Sequence, residues 1–369
     1  MKRLNLRVDL DTVAQNAREI RSRIAPGVRM LAVVKADAYG HGAKQVALRL
    51  QREKIADAFA VATSEEGMNL RLAGVSDLPI VVLGSSNREE SEISVQYGLS
   101  QAVFDENGLS ALRDAARKTG KTAIAHLKAD SGMSRIGVRS ESELLSILSA
   151  WKNAPEVRME GMLTHFCAAD EDEAFTKAQL ETFLRMRNTV FSEGFRPILH
   201  AAASTAMLRK EYSLDMVRAG IALYGTGVKE LNGIVRPAQT LVTHPVRLEW
   251  IEPGDTVGYS RRFRAARKTR VMTVPCGYGD GYPRILSGRA DVLVNGRRAP
   301  IIGNVCMDML MADVTDAGEI TPESPVVLLG AQGGERITPD ELAEKAQTIP
   351  YEIMLGFLGR VSREWIEQA

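Results

Sequence analysis

The sequence has no excess of one charge, few cysteines and no long apolar run, and each absence removes a class of function. Its 47 basic and 46 acidic residues leave a net charge of +1, so no long-range field of one sign would draw nucleic acid or an anionic membrane. Cys167, Cys276 and Cys306 are odd in number and widely spaced, which fits neither a disulfide framework nor a zinc site; they are expected to be reduced and mostly buried. No segment approaches the roughly 20 apolar residues that span a bilayer. The opening MKRLNLRVDLDT lacks the apolar core of a signal peptide, so a cytoplasmic protein is expected. HExxH, GxSxG, clustered cysteines and the Walker lysine pattern are all missing, which leaves little support for metal-dependent or serine hydrolysis and predicts no metal site.

What is present is the composition of a globular protein: 369 residues, 45 % apolar and 25 % charged, enough for one large or two ordinary domains. Small-molecule chemistry is the expected trade.

From residue 29 to about 220, short apolar or β-branched runs alternate with helical periodicity, the mark of repeated βα units. The runs are MLAVVK (30–35), AFAVA (58–62), IVVLG (80–84), QAVF (101–104), AIAHLKA (123–129), VRMEGMLTH (157–165), PILHAA (197–202) and DMVRAG (215–220). Helix-start signals follow several: a capping box at Thr63 and Glu66, a cap at Asp105, and acid from Asp170 to Glu173. Eight such units in this length predict a (β/α)8 barrel rather than a doubly wound sheet. The preceding LRVDLDTVAQNAREIRSRI supplies an extra strand and helix. After about residue 235, Pro, Gly and Asp punctuate short apolar runs, which predicts a mainly antiparallel β domain with helix only at 339–347 and in the C-terminal tail. The expected division is thus 1–235 and 236–369, the first residues packing with the β domain.

In a barrel of this kind function sits at the C-terminal ends of the strands. The residues there are Lys35 with Tyr39 beyond it, Lys128 leading to Arg135, His165, Ser204 and Arg218. Two lysines and two arginines without paired acids describe a mouth for an anion. Lys35 has three readings: a lysine snorkelling to the surface, a Schiff-base lysine acting on a substrate carbonyl, or one holding pyridoxal phosphate. The small residues Ala36, Ala38, Gly40 and Gly42 leave room for a flat ring, and Tyr39 and His41 offer donors. Arg218 next to Gly220 lets bare backbone approach a phosphate, and Ser204, at the start of an expected short helix, offers a hydroxyl to the same dianion; singly, Ser204 is an N-cap and Gly220 a turn.

The motifs VVKADAYGHG (33–42), LKADSGMSRIGV (127–138), MLTHFCAADE (162–171), VRAGIALYG (217–225), VGYS (257–260), GYGDGYPR (277–284) and GNVCMDM (303–309) resemble, in order, those of the bacterial alanine racemase family of fold-type III pyridoxal-phosphate enzymes. The resemblance runs from Leu6 to about Arg363. It implies pyridoxal 5'-phosphate as cofactor, an N-terminal barrel with a C-terminal β domain, and interconversion of L- and D-alanine in the cytoplasm, supplying D-alanine for peptidoglycan. It implies Lys35 and Tyr259 as the two bases on opposite faces of the cofactor, with His165 and Arg218 in the network that tunes the tyrosine. Tyr39, Ser204, Gly220 and Ile221 would hold the phosphate. Arg135 would reach the ring hydroxyl and the substrate carboxylate. Arg218 in place of a carboxylate at the ring nitrogen can only donate, so that nitrogen would stay unprotonated.

By the same resemblance, Lys128 matches a position often carbamylated; the alternative is an ordinary ion-pairing lysine. The family's homodimer shares its sites, so Tyr259, Met307 and Asp308 would act in the partner's site. Ala203 and Gly359 depart from the residues common in the family and suggest a more open pocket that takes serine or larger amino acids. A serine or broad-specificity racemase and a noncatalytic pyridoxal-phosphate carrier are the alternatives carried. The basic run RRFRAARKTR (261–270) is read as a solvated hairpin.

Overall fold

The computed structural model describes residues 3–76, 78–357 and 359–367. The chain opens with strand β1 (Leu4–Asp9), and Asp9 then caps helix α1 (Leu10–Arg23) by accepting the N–H of Thr12. Eight parallel strands follow: β2 (Arg29–Val33), β3 (Ala58–Val61), β4 (Ile80–Val82), β5 (Ser100–Val103), β6 (Ala123–Lys128), β7 (Val157–Leu163), β8 (Ile198–His200) and β9 (Met216–Ala219). They pair in the order β8-β7-β6-β5-β4-β3-β2-β9. A parallel bridge between Ala203 and Arg218, with the Arg218 N–H donating to Ala202 at 3.0 Å, joins the two ends into a barrel. Every apolar run expected to be a barrel strand is one.

The connecting helices begin on side-chain caps that satisfy otherwise orphaned N–H groups. Asn87 with Glu90 and Ser140 with Glu143 form capping boxes, and Asp105 and Asp172 cap singly. Thr63 accepts the Glu66 N–H as expected, but the Glu66 side chain does not close the box: it reaches Ala36 and Ala62 instead.

The remaining strands are β10 (Gln239–Thr243), β11 (Arg247–Ile251), β12 (Thr256–Val257), β13 (Phe263–Arg264), β14 (Thr269–Val274), β15 (Asp291–Val294), β16 (Arg297–Ile302), β17 (Leu310–Asp313), β18 (Val326–Gln332), β19 (Glu335–Ile337) and β20 (Ser362–Ile366). The larger sheet runs β11-β14-β17-β16-β15-β18-β10-β1-β20, with β19 on β18. Its pairs are antiparallel except β1–β20. The N-terminal strand therefore belongs to the second sheet, and α1 returns the chain to the barrel.

Three local expectations fail. The C-terminal tail is strand β20 rather than helix, because β1 offers it a free edge, and a helix absent from the sequence reading spans Pro350–Gly356. Ser204 begins a series of turns, and the short helix starts only at Lys210. Of the free cysteines only Cys276 is buried; Cys167 is exposed and Cys306 half-buried.

Apolar side chains form one core around the barrel and another within the larger sheet. Met354 and Trp365, from the end of the chain, pack against the barrel core and bring the last elements beside its mouth.

Candidate active site

The end of β2 sets the site. After Val34, residues Ala36 to Tyr39 take φ values of 50 to 55°, a left-handed turn that costs L-residues about 1–2 kcal/mol each. Surrounding bonds hold it. Glu66 accepts the Ala36 N–H at 2.7 Å, the Asp37 carboxylate accepts the Ala43 N–H at 2.8 Å and pairs with Arg363, and Gln239 donates to Gly40 at 3.1 Å. The turn sets the Tyr39 ring 5.0 Å from that of Tyr224 and 5.6 Å from that of Tyr351. Gly40 and Gly42 serve a different purpose from the one expected. A Cβ on Gly40 would lie 2.6 Å from the Met354 carbonyl, and one on Gly42 2.5 Å from the Trp365 indole, so both admit the C-terminal elements rather than a ligand ring. His41 is buried under Tyr224, its Nδ1 against the Ala38 and Tyr39 carbonyls, and does not line the cavity.

The cavity this turn borders has a volume of about 380 Å³ and is lined by Lys35, Tyr39, Lys128, Arg135, His165, Ser204, Arg218, Gly220 and Ile221. The strand-end residues and the phosphate-holding residues expected in the barrel are thus brought together, while Gly40, His41 and Gly42 stay outside the lining. Among the described residues, no carboxylate lines the cavity. Burial, then the Arg135 charge, lowers the Lys35 amine from its ordinary value. Burial, then Arg218 and Arg135, pushes Lys128 down to about 7. His165 falls to about 2, chiefly through burial and the neighbouring Arg218, and is neutral.

At one end the Ser204 hydroxyl accepts the N–H groups of Gly220 at 2.9 Å and Ala222 at 3.4 Å. A Cβ on Gly220 would stand 3.0 Å from the Tyr39 hydroxyl and 3.6 Å from that of Ser204, so the glycine keeps open a cradle of two hydroxyls and bare backbone. That donor set suits a phosphate. Asp130 accepts the N–H groups of Gly132, Ser134 and Arg135, which shapes the loop presenting Arg135.

Arg218 is buried, and its terminal nitrogens are committed inside the barrel. Nη1 donates to the His200 carbonyl and Nδ1, and Nη2 to the carbonyls of Thr164 and Ala201 and to Nδ1 of His165. Among the described residues its Nε makes no hydrogen bond. An arginine so held is a fixed donor.

Tyr259, Met307 and Asp308 are elsewhere in the chain's surface. They line a separate concavity of about 660 Å³ with Cys306 and Met309, and Tyr259 is 71 % exposed. One chain does not bring them to Lys35.

Two models divide the sequence between them: the alanine racemase N-terminal domain matches residues 8–227 and its C-terminal domain residues 238–365. The chain belongs to the alanine racemase family. It is 39 % identical to the alanine racemase of Halothermothrix orenii over 97 % of this chain and 95 % of that one. Its structure matches the alanine racemase of Streptomyces coelicolor A3(2) with a TM-score of 0.94 at 31 % identity, covering 99 % of this chain and 98 % of that one. The alanine racemase of Bacillus anthracis with bound L-Ala-P matches with a TM-score of 0.90 at 34 % identity, covering 100 % of this chain and 96 % of that one.

Against this family background, Ala203 does line the cavity, but Gly359 does not; Tyr351, which the sequence reading passed over, closes that side beside Tyr39. Among the described residues, no helix is long and apolar enough to cross a membrane.

Proposed function

We propose that this protein interconverts L- and D-alanine with pyridoxal 5'-phosphate, as a cytoplasmic homodimer whose subunits complete each other's sites, and so supplies D-alanine for peptidoglycan. The observation that carries the reading is the cavity itself: a lysine of lowered basicity shares it with a hydroxyl-and-backbone phosphate cradle and a buried arginine donor. The cofactor, when bound, supplies a carbonyl that a lysine or substrate amine can join and a ring that takes up charge when the α-proton leaves.

The protein's part is positioning and proton movement. Tyr39, Ser204 and the backbone of Gly220 and Ile221 would hold the phosphate, and Arg135 would bind the ring hydroxyl and the substrate carboxylate. Arg218 donates and cannot accept, so a ring nitrogen facing its free Nε would keep its lone pair. Lys35, whose amine sheds its proton more readily than an exposed lysine, serves as one base at the α-carbon. Racemisation requires a second base on the other face, and Tyr259 of a second copy is the group assigned to it. Met307 and Asp308 would enter with it at the substrate end.

The test is D-alanine formation from L-alanine by wild type, Lys35→Ala and Tyr259→Phe, with cofactor absorbance recorded for each. Wild type should racemise, and Lys35→Ala should lose both turnover and covalent cofactor absorbance. Tyr259→Phe should keep the absorbance and lose most turnover. Mixing the two inactive variants should restore part of the activity, because a mixed dimer holds one intact site. A wild type that binds the cofactor but interconverts no amino acid would establish the carrier reading instead.

A further inference from the structure

Barrels of this kind usually fill their interior with branched apolar side chains. Here a polar chain runs through it. Nη1 of Arg218 lies 3.2 Å from Nδ1 of His200, Nε2 of His200 lies 2.9 Å from Nδ1 of His126, and Nε2 of His126 lies 3.2 Å from a carboxylate oxygen of Glu160. Both histidines are buried. Glu160 also accepts from Ser100 at 2.9 Å and Arg158 at 3.0 Å.

Direction follows from chemistry. Arginine has no acceptor, so Nδ1 of His200 must be the bare nitrogen and its Nε2 carries the hydrogen. That hydrogen makes Nδ1 of His126 an acceptor, and its Nε2–H donates to the carboxylate. One end of the chain is a cation that can only donate and the other an anion that can only accept, so each imidazole has one permitted tautomer.

Two backbone features serve this arrangement. The β6–β7 register pairs Ala125 with Met159 but His126 with Gly161, so Glu160 is the extra residue of a bulge, a device that re-aims a side chain. A Cβ on Gly161 would fall 2.2 Å from Nδ1 of His126, so only glycine leaves room for the ring.

We propose that Glu160 and His126 are positioning residues: through two neutral imidazoles the carboxylate fixes which nitrogen of His200 faces Arg218 and so holds the guanidinium at the cavity. The proposal rests on the racemase reading for its kinetic consequence and on geometry alone for the tautomers.

The five histidines make imidazole ¹⁵N spectra of the full-length, cofactor-loaded protein tractable. In wild type, His126 and His200 should both give the neutral Nε2–H pattern. Glu160→Ala should let His126 populate the other tautomer and lower kcat about tenfold, with KM for alanine changed less. Glu160→Gln keeps an acceptor oxygen and should restore the tautomers and most of kcat. Unchanged spectra in Glu160→Ala, or a loss of kcat that Gln fails to rescue, would overturn the proposal. The spectra need no turnover, so a wild type inactive on alanine would overturn the racemase reading and leave the tautomers to decide this one.

Discussion

Glu66 holds the backbone of the residue that follows Lys35: one carboxylate oxygen accepts the Ala36 N–H at 2.7 Å, and the other accepts the Ala62 N–H at 2.7 Å. The left-handed turn after β2 is thereby tied to the end of β3. Glu66→Ala should cost about 1–3 kcal/mol by removing two bonds to a charged acceptor, although water can reach the exposed Ala36 N–H. Urea denaturation measures it, and unchanged stability would mean that Asp37 and Gln239 hold the turn unaided. Because Glu66 also opposes the lowering of the Lys35 amine by burial and Arg135, its removal should lower that amine further.

The strands of the barrel were legible because each βα unit carries its own local signal: a short apolar run, a polar closing residue and a capping side chain. Lys35, Lys128, His165 and Arg218 could be found for the same reason, since position at a strand end is a property of the run itself. What stayed hidden depends on distant chain. Nothing near Gly42 in sequence reveals that Trp365 packs on it, and nothing near Tyr351 reveals Tyr39 across the cavity. The Glu66 spacing fitted a capping box, but its carboxylate had a stronger call from two N–H groups at neighbouring strand ends. Tyr259 was found only by resemblance, because its own surroundings in one chain are open surface.

Gly220→Ala should weaken cofactor binding. The new methyl would meet the Tyr39 hydroxyl at 3.0 Å inside the phosphate cradle. A tenfold rise in the dissociation constant of pyridoxal phosphate, about 1.4 kcal/mol, is expected by titration of the cofactor-free protein. Equal affinity would place the phosphate elsewhere.

Substrate preference should respond to Tyr351 and not to Gly359. Tyr351 lines both the Lys35 cavity and the neighbouring cleft, so Tyr351→Ala joins them and should raise kcat/KM for serine relative to alanine about tenfold. Gly359 has a φ of +73° and open space around its missing Cβ. Gly359→Ala should cost about 1 kcal/mol through backbone strain and leave the preference unchanged. The reverse pattern of turnover would restore the role first inferred for Gly359.

Lys128 should make stability depend on pH in a defined direction. Burial, then Arg218 and Arg135, takes its amine from an ordinary 10.5 to about 7. Between those values the unfolded chain binds a proton that the folded chain does not, so stability rises with pH across the window. Below about 7 both states carry the proton, and the full cost of burying the ammonium remains. Lys35 is also lowered and acts with the same sign, so the contribution of Lys128 is the difference between wild type and Lys128→Met in cofactor-free, bicarbonate-free buffer. The wild-type curve should be the steeper above pH 7. The same arginines that disfavour an ammonium favour an anion, and a neutral amine can add carbon dioxide, releasing a proton and leaving a carbamate between Arg135 and Arg218. In ¹³C-bicarbonate above pH 7, wild type should show a carbamate resonance that Lys128→Met lacks. Steep titration without that resonance would leave Lys128 as a neutral amine in the folded protein, with no carbamate to orient Arg135.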